Sequence, residues 1–541
     1  MDGRRTGWIL AWTAAAAAIV GVLSRELPPE GFSAGDPGIK LIAARQAIAH
    51  PDRPFEIDLP AIAGTPTPFV DPLYKVHGDH AHALQSPLFP LVSAPPIAWL
   101  GLRGAYLLPG LAFLCLLPLA TGIARRAGAP AGVHALAISA VLACPVFFYA
   151  FEIWEHVPAM AVLAGATLLA FGDVDSRGAT LRRIAAGLTA AIAMVLRPEA
   201  VWYVAALGLS LRSPRAVAAY GAGGALVMLP FMAANVLEGA TLAGHHAAAN
   251  LAAMSDHWIE VRGHRLLLWL LPLTPPMLAG MAGVAVAWSD RLAGGNVRRA
   301  QALGLLAGAG IAVAAAAGRF GPDALWSAWP LGVLLLVPCV DRAGRGRLEW
   351  LAVVSTIGVW LTSTHDGGAQ WGPRFLLIAT PAFLVLAATA LQDAVSPGDW
   401  RRVRIALVTV IVLTGVWTSR RVYLDLRGVK RYHARLVAAL DRHTTPGGYV
   451  VTNIAWLDQL AAPLHGTRTW LVAAPPADPT EVLRRLERGG VRTISVVWSM
   501  DPREPGPIAV DGSCFRPGDV VAVPERGIRI AVATCASPDG R

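Results

Sequence analysis

The stretch FFYAFEIWEHVPA (147–159) sets Glu152, Glu155 and His156 within five residues, between two apolar runs. Carboxylates and an imidazole held so near lipid are costly, so such a group marks a site that orients a substrate. The plainer reading is a wet turn anchored at the interface by Tyr149 and Trp154. FSAGDPGIKL (32–41) puts Asp36 on a glycine-flanked turn, with Lys40 in the helix that follows as a substrate-binding candidate. A carboxylate there can draw a proton from an acceptor hydroxyl, its pKa raised by partial burial. Alternatively, Asp36 caps a helix whose first residue is Pro37. In VLRPEAVW (195–202), Arg197 and Glu199 flank Pro198. Arg197 can hold a phosphate or position a carboxylate, or it can simply pair with Glu199 where the helix breaks. Arg374 follows the glycine-rich HDGGAQWGP at the mouth of an apolar run. That depth suits a lipid phosphate, or ordinary snorkelling.

Two histidine clusters add to these. VHGDHAHALQSP (76–87) carries His77, Asp79, His80 and His82, and HHAAANLAAMSDHW (245–258) opens with His245 and His246. The residue types bind divalent metal, but the spacing matches no strict ligand motif. Substrate hydrogen bonding by His80, His82, His245 and His246, or simply a wet loop, is expected ahead of a divalent metal, and no metal ligand set is assigned.

The elements that must position these groups are membrane helices. The chain has 541 residues, 55% hydrophobic and 15% charged, with mean hydropathy +0.50. That balance excludes a set of soluble domains. The net charge of +10 suggests nucleic acid, but only Lys40, Lys75 and Lys430 are lysines and the arginines sit in short loops between apolar runs, where they orient helices. No nucleic-acid partner is expected. Thirteen spans are predicted, near 7–23, 104–124, 131–150, 156–172, 180–196, 199–211, 215–236, 265–288, 300–318, 323–340, 348–364, 374–391 and 403–418. The run 87–101 is apolar too, but Pro87, Pro90, Pro95 and Pro96 place it at the interface instead of across the bilayer. With the N-terminus cytoplasmic, the first span is a retained signal anchor, and arginines crowd the loops predicted inside. The odd count sends the C-terminus outside.

Two long polar regions remain outside in this topology, 24–103 and 420–541. The first holds an interfacial amphipathic helix over 38–50. The second alternates strands at 448–453, 467–474 and 493–499 with a helix at 479–490. It closes in a hairpin over 519–535 that turns at Glu525 to Gly527. Cys514 and Cys535 can pair there in an oxidising compartment, although two free thiols fit the sequence equally. The expected architecture is therefore an all-α membrane domain, 1–419, of about 13 transmembrane helices with a long first external loop, followed by a small external α/β domain, 420–541.

At these residues the chain resembles the GT-C superfamily of membrane glycosyltransferases, especially the protein O-mannosyltransferase and aminoarabinose-transferase branch. Gly35-Asp36 matches the early Asp motif of that branch, Asp36-Pro37 standing where Asp-Glu is common. SPLFPLVSAPPIAWLGLRGAYLLP (86–109) resembles its approach to the second span, and Glu155 falls where it often carries a second acid. The resemblance implies a multi-pass protein of a bacterial inner membrane that takes a sugar from a polyprenyl-phosphate donor to a lipid, glycan or protein acceptor. It implies inverting transfer, with Asp36 and Glu155 catalytic and with Glu152, His156, Arg197, Glu199 and Arg374 among the binding groups. No redox cofactor is expected. The alternatives are a lipid-linked glycan polymerase or ligase, a lipid-linked sugar transporter or flippase, and a non-enzymatic assembly protein.

Overall fold

The structure is a computed structural model that describes every residue except 1–2, 130–132, 173–177, 238–241, 243, 245–257, 322, 340–343, 364–371, 475–476, 502, 504–506, 509–512 and 536–541. His245 and His246 lie outside the described residues. The chain divides into two compact units. A helical unit comprises Met1–Leu23, Leu108–Phe151 and Glu155–Leu424, and a mixed unit comprises Ser24–Leu107, Glu152–Trp154 and Asp425–Arg541.

Among the described residues, six helical stretches are long and apolar enough to cross a membrane: Leu88–Arg126, Ala179–Leu196, Pro214–Leu237, Val297–Ala316, Arg374–Val395 and Arg401–His443. In the helical unit, the apolar window of Arg374–Val395 is 94% buried, whereas that of Pro214–Leu237 is 11% buried. The first is a central helix. The second shows an apolar surface that water would not tolerate and that lipid would cover. Close helix pairs depend on glycine. A Cβ at Gly187 would lie 1.8 Å from Tyr220 O, and one at Gly223 would lie 1.9 Å from Ile184 O. The helices Ala179–Leu196 and Pro214–Leu237 therefore touch backbone to backbone.

Two sequence expectations are corrected here, both at prolines. The span placed at 265–288 is two helices, Trp258–Trp269 and Pro275–Leu292, because Pro272 and the Pro275-Pro276 pair interrupt the hydrogen-bond ladder. The span placed at 323–340 is a short helix, Leu325–Ala328, then a 3-10 stretch, Pro330–Leu336. The prolines of the run 87–101 do not prevent a helix. The run forms the helix Leu88–Leu100 with Pro95 and Pro96 inside it. Pro90 falls in the first turn, where its missing N–H costs nothing. The chain then bends at Gly101, with φ 60°, and Gly104 lies against the Pro96 carbonyl, where a Cβ would come within 1.9 Å.

The mixed unit is built on a five-stranded sheet. Tyr449–Thr452 pairs in parallel with Thr469–Val472 on one side and Thr493–Ser499 on the other, and the hairpin Phe515–Val523/Ile528–Cys535 continues the sheet antiparallel. The helix Pro479–Arg488, capped by the Asp478 carboxylate on Thr480 N, covers it with Val482, Leu483 and Leu486. The hairpin turns at Glu525–Gly527 as its sequence pattern predicts, and Cys514 and Cys535 form a disulfide. The helix expected at 38–50 spans Asp36–Ala49, but it is not an exposed amphipath. Ile39, Lys40, Leu41, Ile42, Ala44 and Ala47 are all buried. Gly35 and Gly38 allow this, since a Cβ on either would come within 1.7 Å of Gln459 atoms.

Candidate active site

The mixed unit buries a charged pair. Glu152 and Lys430 are both 0% exposed, and Lys430 Nζ lies 3.2 Å from Glu152 Oε1. Lys430 also stands 3.3 Å from Tyr106 Oη and 4.7 Å over the Tyr106 ring. The strap 29–33 closes around them. Tyr106 Oη donates to Pro29 O at 2.9 Å, Gly31 rests on the Lys430 carbonyl, Phe32 O meets His433 Nδ1 at 2.5 Å, and Ser33 ends the strap beside Glu152. Burial pushes the Glu152 carboxyl above its ordinary range, opposed by the Lys430 charge. In the helix that follows the strap, Asp36 is the first residue and Gly35 the cap, with no side-chain capping bond. Asp36 is half-buried. Lys40 is 2% exposed, with its Nζ 5.9 Å from the ring centre of the fully buried Trp154.

The helical unit gathers a second charged group. Arg197 precedes Pro198 and is extended, φ −143° and ψ 107°, as a residue before proline must be. That break turns its guanidinium onto two carboxylates. Nη1 donates to Glu155 Oε1 at 2.9 Å, and Nε donates to Glu199 Oε1 at 2.8 Å, with Nη2 reaching the same Glu199 oxygen. The ring of Phe375 lies under two guanidiniums, 5.6 Å from that of Arg197 and 5.2 Å from that of Arg374. His156 opens the helix His156–Ala170 and stacks on Tyr149, with ring centres 5.1 Å apart. Glu155, His156, Arg197 and Arg374 are each 9% exposed or less. A carboxylate gripped by an arginine in this way is fixed in direction.

The structure thus draws Glu155, Arg197 and Glu199 together in one unit and groups Glu152 with Lys430 in the other. His80 and His82 belong to neither group; they are in the hairpin Tyr74–His77/His80–Ala83 of the mixed unit. His80 Nδ1 is 3.1 Å from Asp79, and His82 Nδ1 is 3.2 Å from Phe55 O. No group of three or more His, Cys, Asp or Glu side chains suited to a metal occurs among the described residues. Sequence reasoning missed Lys430, Ser33 and Tyr106. A signal existed: in a chain that uses arginine almost everywhere, two of the three lysines, Lys40 and Lys430, are buried.

No family description matches the chain, and no curated protein does. Solved structures do. ArnT, the aminoarabinose transferase from Cupriavidus metallidurans, solved bound to undecaprenyl phosphate, aligns with TM-score 0.55 and 13% identity over 99% of both chains. The chain has the GT-C fold. Apo ArnT aligns over the same 99% of each chain, with TM-score 0.56 and 14% identity. An oligosaccharyltransferase of the same superfamily, AglB from Archaeoglobus fulgidus, is more distant, at TM-score 0.47 and 12% identity over 91% of this chain and 70% of its own. Glu152, Glu155, Arg197 and Glu199 lie in segments that the sequence singles out, whereas Lys430 lies within the helix Arg401–His443.

Proposed function

We propose that this chain is a membrane glycosyltransferase that moves a sugar from a polyprenyl-phosphate donor to an acceptor hydroxyl on the outer face of a bacterial inner membrane. The observation that carries the reading is the buried Arg197 clamp on Glu155 in a chain whose fold spans the whole of ArnT. Burying three charges is costly, and a chain that needed only a helix break would not require them. The solved neighbour holds undecaprenyl phosphate. In this chain's helical unit, a cavity of about 390 Å³ is lined by Leu266, Leu270, Trp326, Leu336 and Phe383, a surface suited to an isoprenoid tail. The thirteen-span topology, with a cytoplasmic N-terminus and an external C-terminal unit, belongs to the same proposal.

In the reaction, Asp36 takes the proton of the acceptor hydroxyl. The freed oxygen attacks the anomeric carbon from the side opposite the phosphate, and the C–O bond to phosphate breaks, its electron pair leaving with the lipid phosphate. The anomeric configuration inverts. Glu155 and His156 orient the sugar, and Arg374 meets the charge that grows on the leaving phosphate. Arg197 is committed to two carboxylates, so it acts as a positioning residue for Glu155. A phosphate already leaves readily, which makes placement the main task.

The test is transfer of radiolabelled sugar from synthetic polyprenyl-monophosphate and polyprenyl-pyrophosphate donors, in membranes holding wild type, Asp36→Asn or Glu155→Gln at matched expression. The reading expects transfer from the monophosphate donor and a loss on the order of 100-fold or more in each variant. Transfer only from pyrophosphate donors would move the polymerase or ligase reading ahead, and no transfer from either would sink both.

A further inference from the structure

The mixed unit holds a second cavity, away from the Glu152–Lys430 pair, that glycosyl transfer as described does not use. It measures about 390 Å³ and opens at the edge strand Thr469–Val472. Four polar atoms on its lining residues are buried without a hydrogen-bond partner: Tyr74 Oη, Asp458 Oδ1, His465 Nε2 and Trp470 Nε1. Asp458 is 3% exposed and Trp470 4%. One orphaned polar atom is a common imperfection; four on one cavity are groups held ready for something else. The volume is an order of magnitude above the ~30 Å³ share of a single water.

The donors and acceptors narrow the ligand. Arg468 is the one cation among the described lining residues, and its guanidinium is occupied by Thr444, Thr467 and Asp441. Arg45, near His465, donates to the carbonyls of Ala462 and Pro463. No charge is left to hold a phosphate or carboxylate. Asp458 lies beside Asp71, and burial raises both carboxyls. Burial, reinforced by Arg45, pushes His465 down to about 4, so its ring is neutral. Asp58, also on the lining, is paired with His50 and Arg53. The inward set then comprises an indole N–H donor, a carboxyl oxygen acceptor, a phenol and a neutral imidazole, with the Gln46 amide and the Thr467 and Thr469 hydroxyls, beside the apolar Ile42 and Val70. Hydroxyl groups, each donor and acceptor at once, on a carbon ring with apolar faces meet that set. We propose that this cavity is a binding subsite for a neutral pyranose unit, held by Asp458, Trp470, His465 and Tyr74.

The subsite does not depend on the transfer reaction, and its test uses no lipid donor. The full-length chain, reconstituted in lipid nanodiscs to avoid sugar detergents, is titrated with glucose, galactose, mannose, N-acetylglucosamine and their disaccharides, and saturation transfer from protein to sugar is read by NMR. At least one should bind in the millimolar range, and Trp470→Phe, which keeps the ring and removes the N–H, should weaken it roughly fivefold. Asp458→Asn should do the same. Sugar binding without transfer from any lipid donor leaves the subsite standing and sinks only the transferase reading, and transfer without sugar binding does the reverse, so the two ideas fail separately. Absence of saturation transfer from every sugar at about 50 mM overturns the subsite, as does binding that Trp470→Phe and Asp458→Asn both leave unchanged. If Asp458→Asn does not fold, Trp470→Phe decides alone.

Discussion

Lys430→Met removes one half of a buried ion pair and leaves the other in place. In the native unit, Lys430 Nζ sits 3.2 Å from a Glu152 carboxylate that has no exposed surface. Methionine fills much the same volume but offers no charge. Glu152 must then remain ionised without its cation or take up a proton at the cost of its shifted pKa; losing one partner of such a pair costs about 3–5 kcal/mol. For a unit of this size, that corresponds to a melting temperature lower by on the order of 10 °C. The assay is thermal unfolding of the purified full chain at a fixed scan rate, read by size-exclusion chromatography, because membrane proteins commonly unfold irreversibly. The double variant Glu152→Gln/Lys430→Met carries no buried charge and should recover most of the loss, giving a coupling of about 2–3 kcal/mol in the cycle. A single-variant loss below about 1 kcal/mol, or additivity within about 0.5 kcal/mol, refutes the pairing.

Four other outcomes follow. Burial raises the Asp71 and Asp458 carboxyls, so the folded unit binds more protons than the unfolded chain; their stabilisation is full below about pH 4 and is lost as pH rises through the folded values. Asp458→Asn should therefore raise the melting temperature at neutral pH, and no gain there would count against it. His465 acts in the opposite sense. Its depressed value, about 4, means that stability is full above about pH 6.5 and falls as pH drops toward 4, a loss that His465→Phe should abolish in melts across that range. Replacing both Cys514 and Cys535 by serine opens a 21-residue separation and should cost about 3 kcal/mol, while alkylation of the native unfolded chain should find three free thiols, Cys115, Cys144 and Cys339. Gly38→Ala places a methyl 1.7 Å from the Gln459 carbonyl, so the melt should show a loss of about 1–3 kcal/mol or more; a neutral result would mean that this helix is not docked as seen.

The amino-acid sequence by itself determined what depends on neighbours along the chain. Apolar runs of span length, the strand-like run 493–499 and the turn at Glu525–Gly527 carried the membrane class and the strands of the mixed unit, because these are local patterns. It also singled out Glu155, Arg197 and Glu199, since charges beside lipid are rare enough to stand out. Proline misled it at Pro272, where a break was overlooked, whereas a helix runs through Pro95-Pro96, because whether a helix survives a proline depends on what covers the freed carbonyls. Only the tertiary structure decided partners. Nothing local to Glu152 marks Lys430 as its cation, and nothing local to Tyr74 indicates that it faces the same cavity as Asp458 and Trp470. Those choices are made where distant segments exclude water together, and a buried charge or orphaned hydroxyl has meaning only once the opposite wall is known.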